Sequence, residues 1–232
     1  MIEERYREIL RRISSACERA GRRTEEVTLV AVSKTHPPES VNELARLGHR
    51  NFGENKMQEG RAKIPLCNGN LRWHMIGHLQ TNKARDVVRL FSMVQAVDSL
   101  RLAQELEKHA DQQSRHLDVL LEVNVSGEGS KFGIQPGQLI PAALEINRLP
   151  HLELQGLMTM APFSDNPEDA RPHFRRLAQL KRDLEKELGA PLPHLSMGMS
   201  GDFEVGIEEG ATLIRVGTAI FGERPKPQMP TE

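Results

Sequence analysis

The chain has 232 residues, a formal net charge of −1, 38% hydrophobic residues and only 4% aromatics, so it holds one large α/β domain or two small ones around an aliphatic core. The balanced charge offers no global attraction to nucleic acid or anionic lipid, and Cys17 and Cys67 form no metal or redox pattern. No apolar run approaches the roughly 20 residues that span a bilayer, and the charged start Met1-Ile2-Glu3-Glu4-Arg5 lacks a signal peptide's apolar stretch, so a soluble cytoplasmic protein is expected.

Short apolar runs alternate with longer amphipathic ones. Residues 2–20 carry Ile2, Tyr6, Ile9, Leu10 and Ile13 at helical spacing. Thr28–Ser33 reads as a first strand, followed by a helix from Pro38, a good first-turn residue, to Leu47 before Gly48. Asn51–Glu54 is the second strand, and a helix over 56–64 stops before Pro65. Arg72–Ile76 is the third strand, with a helix near 80–90 behind it. Met93–Val97 is the fourth, with Asp98 or Ser99 capping a helix to about 110. Val119–Val125 is the fifth, and the Gly-rich loop Ser126–Gly133 leads to a helix near 136–147. Leu152–Thr159 is the sixth, before a long helix over 168–188. His194–Ser196, a short helix Asp202–Glu209 and the strand Leu213–Val216 complete the order, and the tail 225–232 is expected to be disordered.

Eight strands in strict βα alternation require crossovers and therefore a parallel sheet. They fit a closed (β/α)8 TIM barrel over residues 1–224, a single domain with one extra N-terminal helix. A doubly wound open sheet is the alternative, but the fingerprint loop it wants after the first strand is absent.

Active sites of such barrels lie at the C-terminal ends of the strands. The candidates are then Lys34, Asn55, the Gly77-His78 turn, Asn124, Thr159, Ser196–Ser200 and Arg215–Thr218. Alternation puts Lys34 on one face with Val32 and Val30, and Arg215 on one face with Leu213 and Gly217. A lysine desolvated at the mouth of an apolar strand exposes a nucleophilic amine, suited to a Schiff base with an aldehyde. The segment Ser196-Met197-Gly198-Met199-Ser200-Gly201-Asp202 and the strand end Arg215-Val216-Gly217-Thr218 are rich in small residues, which let backbone amides approach an anion. Either alone reads better as a tight turn with Ser200 or Asp202 as helix cap. Together they occupy the loops after strands seven and eight, the usual phosphate site of a barrel. Asp202 fits there only if its carboxylate turns away. An aldehyde-reactive lysine beside a phosphate cradle points to pyridoxal 5′-phosphate, with Arg215 facing the pyridine nitrogen. A permanent cation there keeps that nitrogen unprotonated and the ring a poor electron sink.

Other signals carry less. His74 and His78 have the spacing of a helical zinc pair, but they lie on a strand, where four residues cover about 13 Å, so His74 reads as barrel lining. The run Gly127–Gly133 lacks the Gly-Lys-Ser/Thr order of a phosphate loop, and Lys131 reads as solvated in preference to touching ligand. Arg175–Glu187 reads as a solvated helix face, and Trp73, Met158 and Met160 read as core.

Seven ordered segments then coincide with one family. They are Ala31–Thr35, Phe52–Asn55, Trp73–Lys83, Asn124-Val125 with Ser130–Gly133, Gly156–Met160, Leu195–Ser200 and Arg215–Gly222. Over nearly its whole length the chain resembles the pyridoxal phosphate homeostasis proteins, the YggS/PROSC group. The resemblance implies an alanine-racemase-like barrel carrying pyridoxal phosphate on Lys34, with Arg215 at the ring nitrogen and Ser200, Gly217 and Thr218 at the phosphate. Asn55, Ser196, Gly198 and Met199 are carried over as further cofactor-binding positions. His36 departs from the pattern, standing where some members have a second lysine. The implied function is intracellular pyridoxal phosphate homeostasis by a monomer, without substantial turnover, with transient acceptor enzymes as partners. An amino-acid racemase of fold type III is the alternative, but Tyr6 on the leading helix is the sole tyrosine and no opposed second base is in sight. A Schiff-base aldolase acting on a phosphorylated sugar needs a carboxylate beside Lys34, for which Glu54 is the candidate.

Overall fold

Each apolar run becomes a buried strand: β1 (Thr28–Val32), β2 (Asn51–Glu54), β3 (Arg72–Met75), β4 (Met93–Val97), β5 (Leu117–Glu122), β6 (Leu152–Met158), β7 (His194–Ser196) and β8 (Leu213–Val216). The computed structural model describes residues 1–127 and 132–223. In it the strands pair in chain order, all parallel, and β8 returns to β1 with Thr28 opposite Leu213 and Ala31 opposite Val216. The expected closed (β/α)8 barrel is therefore the fold, not the open sheet. The expectations for Lys131 and for the tail 225–232 lie outside the described residues.

The helices are α1 (Ile2–Arg19), α2 (Pro38–Arg46), α3 (Met57–Lys63), α4 (Ala84–Leu90), α5 (Leu100–Gln112), α6 (Leu139–Ile146), α7 (Arg171–Leu188), α8 (Phe203–Glu208) and α9 (Thr218–Phe221). Ser99 caps α5, its hydroxyl accepting from the Leu102 amide at 3.3 Å. The expected starts of α4, α6 and α7 fall on 3-10 turns that lead into them. β5 sits earlier than expected. It begins at Leu117 because Asp118, half-buried, pairs with Arg72 at the strand's outer edge (3.4 Å). It ends at Glu122 because Asn124 folds into a turn, its Oδ1 accepting from Ser126 and from the Gly127 amide, each at 3.1 Å. The four-residue α9 was not anticipated; it is too short to show periodicity.

Two apolar layers result. Inside the barrel, Val30, Met93, Ala96, Leu120, Met158 and Leu213 form one cluster. The larger core lies between the sheet and the surrounding helices and includes Trp73. Gly156 makes the junction of β6 and β7 possible: its φ is +153°, and a Cβ there would sit 1.9 Å from the His194 carbonyl oxygen.

The extra helix α1 lies against α8 and α9 and buries Ile9, Ile13, Ala16 and Cys17. Its Arg5 donates to the Ile220 and Phe221 carbonyls at 2.7 and 3.1 Å, and Arg22 donates to those of Ile207 and Ala211, both at 2.8 Å. It thereby ties down the two short helices that flank the closing strand. Among the described residues no helix is long and apolar enough to cross a membrane. Truncation of Ile13 to Ala, at 2% exposure, is expected to cost about 2–5 kcal/mol; urea unfolding of the variant against the parent chain measures it.

Candidate functional site

A cavity of about 400 Å³ opens at the C-terminal ends of the strands, a size suited to a small molecule. Lys34, Asn55, Met199, Ser200, Arg215, Gly217 and Thr218 line it, so seven of the nine expected site residues meet in one place. Pairing of β1 with β8 makes this possible, since it sets the turn after β1 beside the turn after β8.

Lys34 does not end the strand but sits two residues beyond it, half-buried in a turn. That turn is held from beneath. The buried Lys63 ammonium of α3 donates to the Ser33 carbonyl at 2.6 Å and to Glu54 Oε1, which also accepts from the Ser33 hydroxyl at 2.7 Å. The Thr35 amide donates to Glu59 Oε2 at 2.8 Å, and Thr35 is kept at φ 66°, a left-handed conformation that costs a β-branched residue about 1–3 kcal/mol. Burial raises the Glu54 pKa, with Lys63 opposing the shift. Glu54 is thus spent on bracing the turn, which removes the one carboxylate offered for an aldolase. Lys63 itself was missed. A lysine beside Ile64 in a short helix carries no sequence signal of burial.

Beside it on the same rim, the turns after β7 and β8 are joined. Ser200 Oγ accepts from the Gly217 amide at 3.4 Å, and the Arg215 amide donates to the Gly198 carbonyl at 3.0 Å. A Cβ on Gly217 would lie 3.1 Å from the Val32 carbonyl oxygen, so glycine lets β8 run close to β1 here. Asp202 turns back as required: its Oδ1 accepts from the Met199 amide at 2.6 Å. Its pKa is raised by burial, with that hydrogen bond and Arg215 pulling the other way. Met160, expected in the core, instead lines the cavity with Pro162, Phe163 and Ser164 from the loop after β6, and His36 lines it from the β1 side, stacked on Phe221 at 5.1 Å.

Ser196 and Gly198 stand apart from the other seven. Gly198, at φ +93°, backs onto Phe203, where a Cβ would meet the backbone at 2.8 Å. The Ser196 side chain is fully buried below the cavity, accepting from Arg215 Nη1 and donating to Gln95 Oε1 at 2.6 Å. Arg215 is itself buried, and its Nη2 donates to the Thr159 carbonyl at 2.8 Å. Burial lowers its pKa to about 10, opposed by Glu122 and Asp202, so it stays a cation at neutral pH. Glu122, at 3% exposure, has its pKa pushed up to about 7 by burial and by Asp98, with Arg215 offsetting part; its Oε2 has no hydrogen-bond partner. Gln95 and Glu122 were missed although Gln95 is the one polar residue of β4 and Glu122 follows the apolar run Val119–Leu121, which is a legible signal.

The remaining candidates stay out of the cavity lining. Thr159 donates to the Val123 carbonyl at 2.8 Å. His78 pairs with Asp98 at 2.9 Å and stacks on Phe132 at 3.7 Å, and His74 lies within the barrel. No metal-binding group of His, Cys, Asp and Glu occurs among the described residues. Tyr6 is buried under α1 against His49 at 3.3 Å.

Residues 9–225 match the family described as alanine racemase, N-terminal domain. A pyridoxal phosphate homeostasis protein from Aquifex aeolicus is 46% identical, over 95% of this chain and 97% of its own length. The structure of PipY from Synechococcus elongatus PCC7942, solved with pyridoxal phosphate bound, superposes with a TM-score of 0.81 at 34% identity, covering 92% of this chain and all of that one. Alanine racemase from Clostridium difficile 630 shares the fold at a TM-score of 0.73 and 16% identity, with this chain matching 58% of its length.

Two stability measurements test the site's construction. Lys63→Met leaves Glu54 buried and unpaired and is expected to cost about 3–5 kcal/mol in urea unfolding. For Glu122, whose folded pKa is raised, the unfolded chain releases its proton first, so folding weakens as pH rises from 4.5 through about 7. The span is about 3 kcal/mol at most, and Glu122→Gln is expected to flatten that part of the stability–pH curve.

Proposed function

The chain belongs to the pyridoxal phosphate homeostasis family, and from that membership we propose that it binds pyridoxal 5′-phosphate and acts in intracellular homeostasis of that cofactor. The observation that carries the reading is the convergence of Lys34, Arg215 and the Ser200–Gly217 junction on one cavity of about 400 Å³. These groups fit the cofactor's three polar ends. The Lys34 amine condenses with the aldehyde to a Schiff base, with loss of water. Arg215 faces the ring nitrogen. Ser200, Gly217 and Thr218 would hold the phosphate, and Asn55 and Met199 are further residues of the same lining. Ser196 and Gly198 support the site without touching the ligand.

Bound there, the cofactor supplies a reversible covalent attachment more than a carbanion sink. A guanidinium holds its proton far more tightly than a pyridinium does, so it donates a hydrogen bond to the ring nitrogen without protonating it. A two-base racemase also needs an acid and a base on opposite faces of the substrate. Lys34 is one such group; of the other ionisable lining residues His36 stacks on Phe221 and Asp202 is turned back onto the Met199 amide, and Tyr6 lies elsewhere. The reading is a holding protein, a monomer that releases its cofactor to acceptor enzymes and has no substantial turnover.

Protein purified with pyridoxal phosphate is expected to be yellow, and Lys34→Ala is expected to abolish the imine absorbance. A Lys34→Ala protein that keeps the band would mean another amine is the anchor. Incubation with L- or D-alanine is expected to give negligible interconversion, followed by chiral chromatography; turnover at ordinary enzyme rates would restore the racemase reading. Arg215→Glu, which allows ring protonation, is expected to shift the absorbance maximum.

A further inference from the structure

We propose that Gln95, His74 and Asn51, acting through Ser196, are positioning residues for Arg215: they form a one-way chain of hydrogen bonds across the barrel interior that fixes the plane of its guanidinium under the cavity. The chain draws on five strands, with Arg215 on β8, Ser196 on β7, Gln95 on β4, His74 on β3 and Asn51 at the start of β2. The part concerning the cofactor ring rests on the function proposed above.

Each link admits one assignment. Arginine only donates, so the Ser196 oxygen accepts from Arg215 Nη1. The Ser196 hydroxyl proton then goes to Gln95 Oε1 at 2.6 Å. With its oxygen engaged, Gln95 turns its NH2 to His74 Nδ1 at 3.0 Å. An accepting Nδ1 means a neutral ring with its proton on Nε2, facing Asn51 Oδ1 at 3.3 Å. Burial supports that state, pushing the His74 pKa down to about 3, with Arg72, His194 and His49 adding to the shift. Reversing any one member leaves two donors or two acceptors facing each other inside a barrel, at the cost of a buried unsatisfied group.

The chain is not needed to fill the barrel. Well-packed aliphatic side chains of the same volume would serve stability as well or better. What it adds is direction. Nη1 is tied to Ser196 and Nη2 to the Thr159 carbonyl, so both ends of the fork are pinned. The N–H groups left over are the ones a ligand in the cavity meets, at an angle set by residues that never touch it. Such support is what holds a binding group within the narrow tolerance that recognition of a ring nitrogen requires.

Two measurements test it. In the ligand-free protein, nitrogen-15 NMR of the His74 ring is expected to show a proton on Nε2 and none on Nδ1 across roughly pH 5 to 8. A charged ring, or a proton on Nδ1, would overturn the chain. In the holoprotein loaded with pyridoxal phosphate labelled with nitrogen-15 in the ring, Ser196→Ala and Gln95→Met are each expected to move the ring-nitrogen resonance. The same variants are expected to release the cofactor about tenfold faster, the effect of loosening one hydrogen bond to a charged group. Ser196→Ala removes a single oxygen, so it keeps the test open if Gln95→Met does not fold. A ring resonance unmoved in a folded Ser196→Ala protein overturns the positioning role. Failure of the parent protein to take up pyridoxal phosphate contradicts the proposed function and with it the ring part of this inference, while the His74 readout continues to decide the chain itself.

Discussion

The site depends on closure of the barrel between its first and last strands. Lys34 and Thr218 are far apart in sequence, and only the parallel pairing of β1 with β8 brings them to one rim. Long-range parallel pairing carries a large entropic cost, since the intervening chain must be ordered before the contact forms. Packing of α1 helps meet it. The helix buries an apolar face against α8 and α9, its Arg5 bonds the α9 carbonyls, and Arg22, just past its end, bonds those of Ile207 and Ala211. The extra helix is therefore part of what keeps the closing strand, and the cavity above it, in place.

Within the closed barrel, polarity changes in one step. Met93, Leu120 and Leu213 belong to the apolar interior cluster, and the residues two positions later are Gln95, Glu122 and Arg215. Two residues on a strand return to the same face about 6.6 Å further along. The lower interior is thus mostly aliphatic, interrupted by His74, level with Met93, and its partner Asn51, and the level above it is a layer of buried polar groups beneath the cavity. That layer is expensive. Glu122 keeps an unpartnered oxygen, and Arg215 is a buried cation. The Lys63–Glu54 pair is a second buried charge cluster, placed under the turn that presents Lys34. Both expenditures fall next to the same cavity, and the aliphatic layers elsewhere offset them.

Much of this was legible in the residues. Short apolar runs and helix caps gave eight strands, most within a residue or two of their bounds, because burial on both faces makes parallel strands read as continuous apolar segments. The strand-end rule found Lys34, Ser200, Arg215 and Gly217. The illegible part was whatever depends on what lies underneath. Nothing local distinguishes Lys63, inside a protein, from a surface lysine, and nothing in the Ser196–Ser200 turn tells that Ser196 points down while Ser200 points up. Asn124 looked like part of a strand because Val123 and Val125 flank it, yet its side chain prefers to close its own turn. Resemblance implied the roles, and tertiary geometry shows which of those residues line the cavity.

The central claim is that the Lys34 amine, poised over the Ser200–Gly217 junction, captures the aldehyde. Borohydride reduction of the protein with pyridoxal phosphate, followed by mass spectrometry of its peptides, tests this most directly. The account predicts one reduced adduct, on the peptide containing Lys34. An adduct carried by Lys63, Lys131 or any other lysine, with Lys34 unmodified, would contradict it.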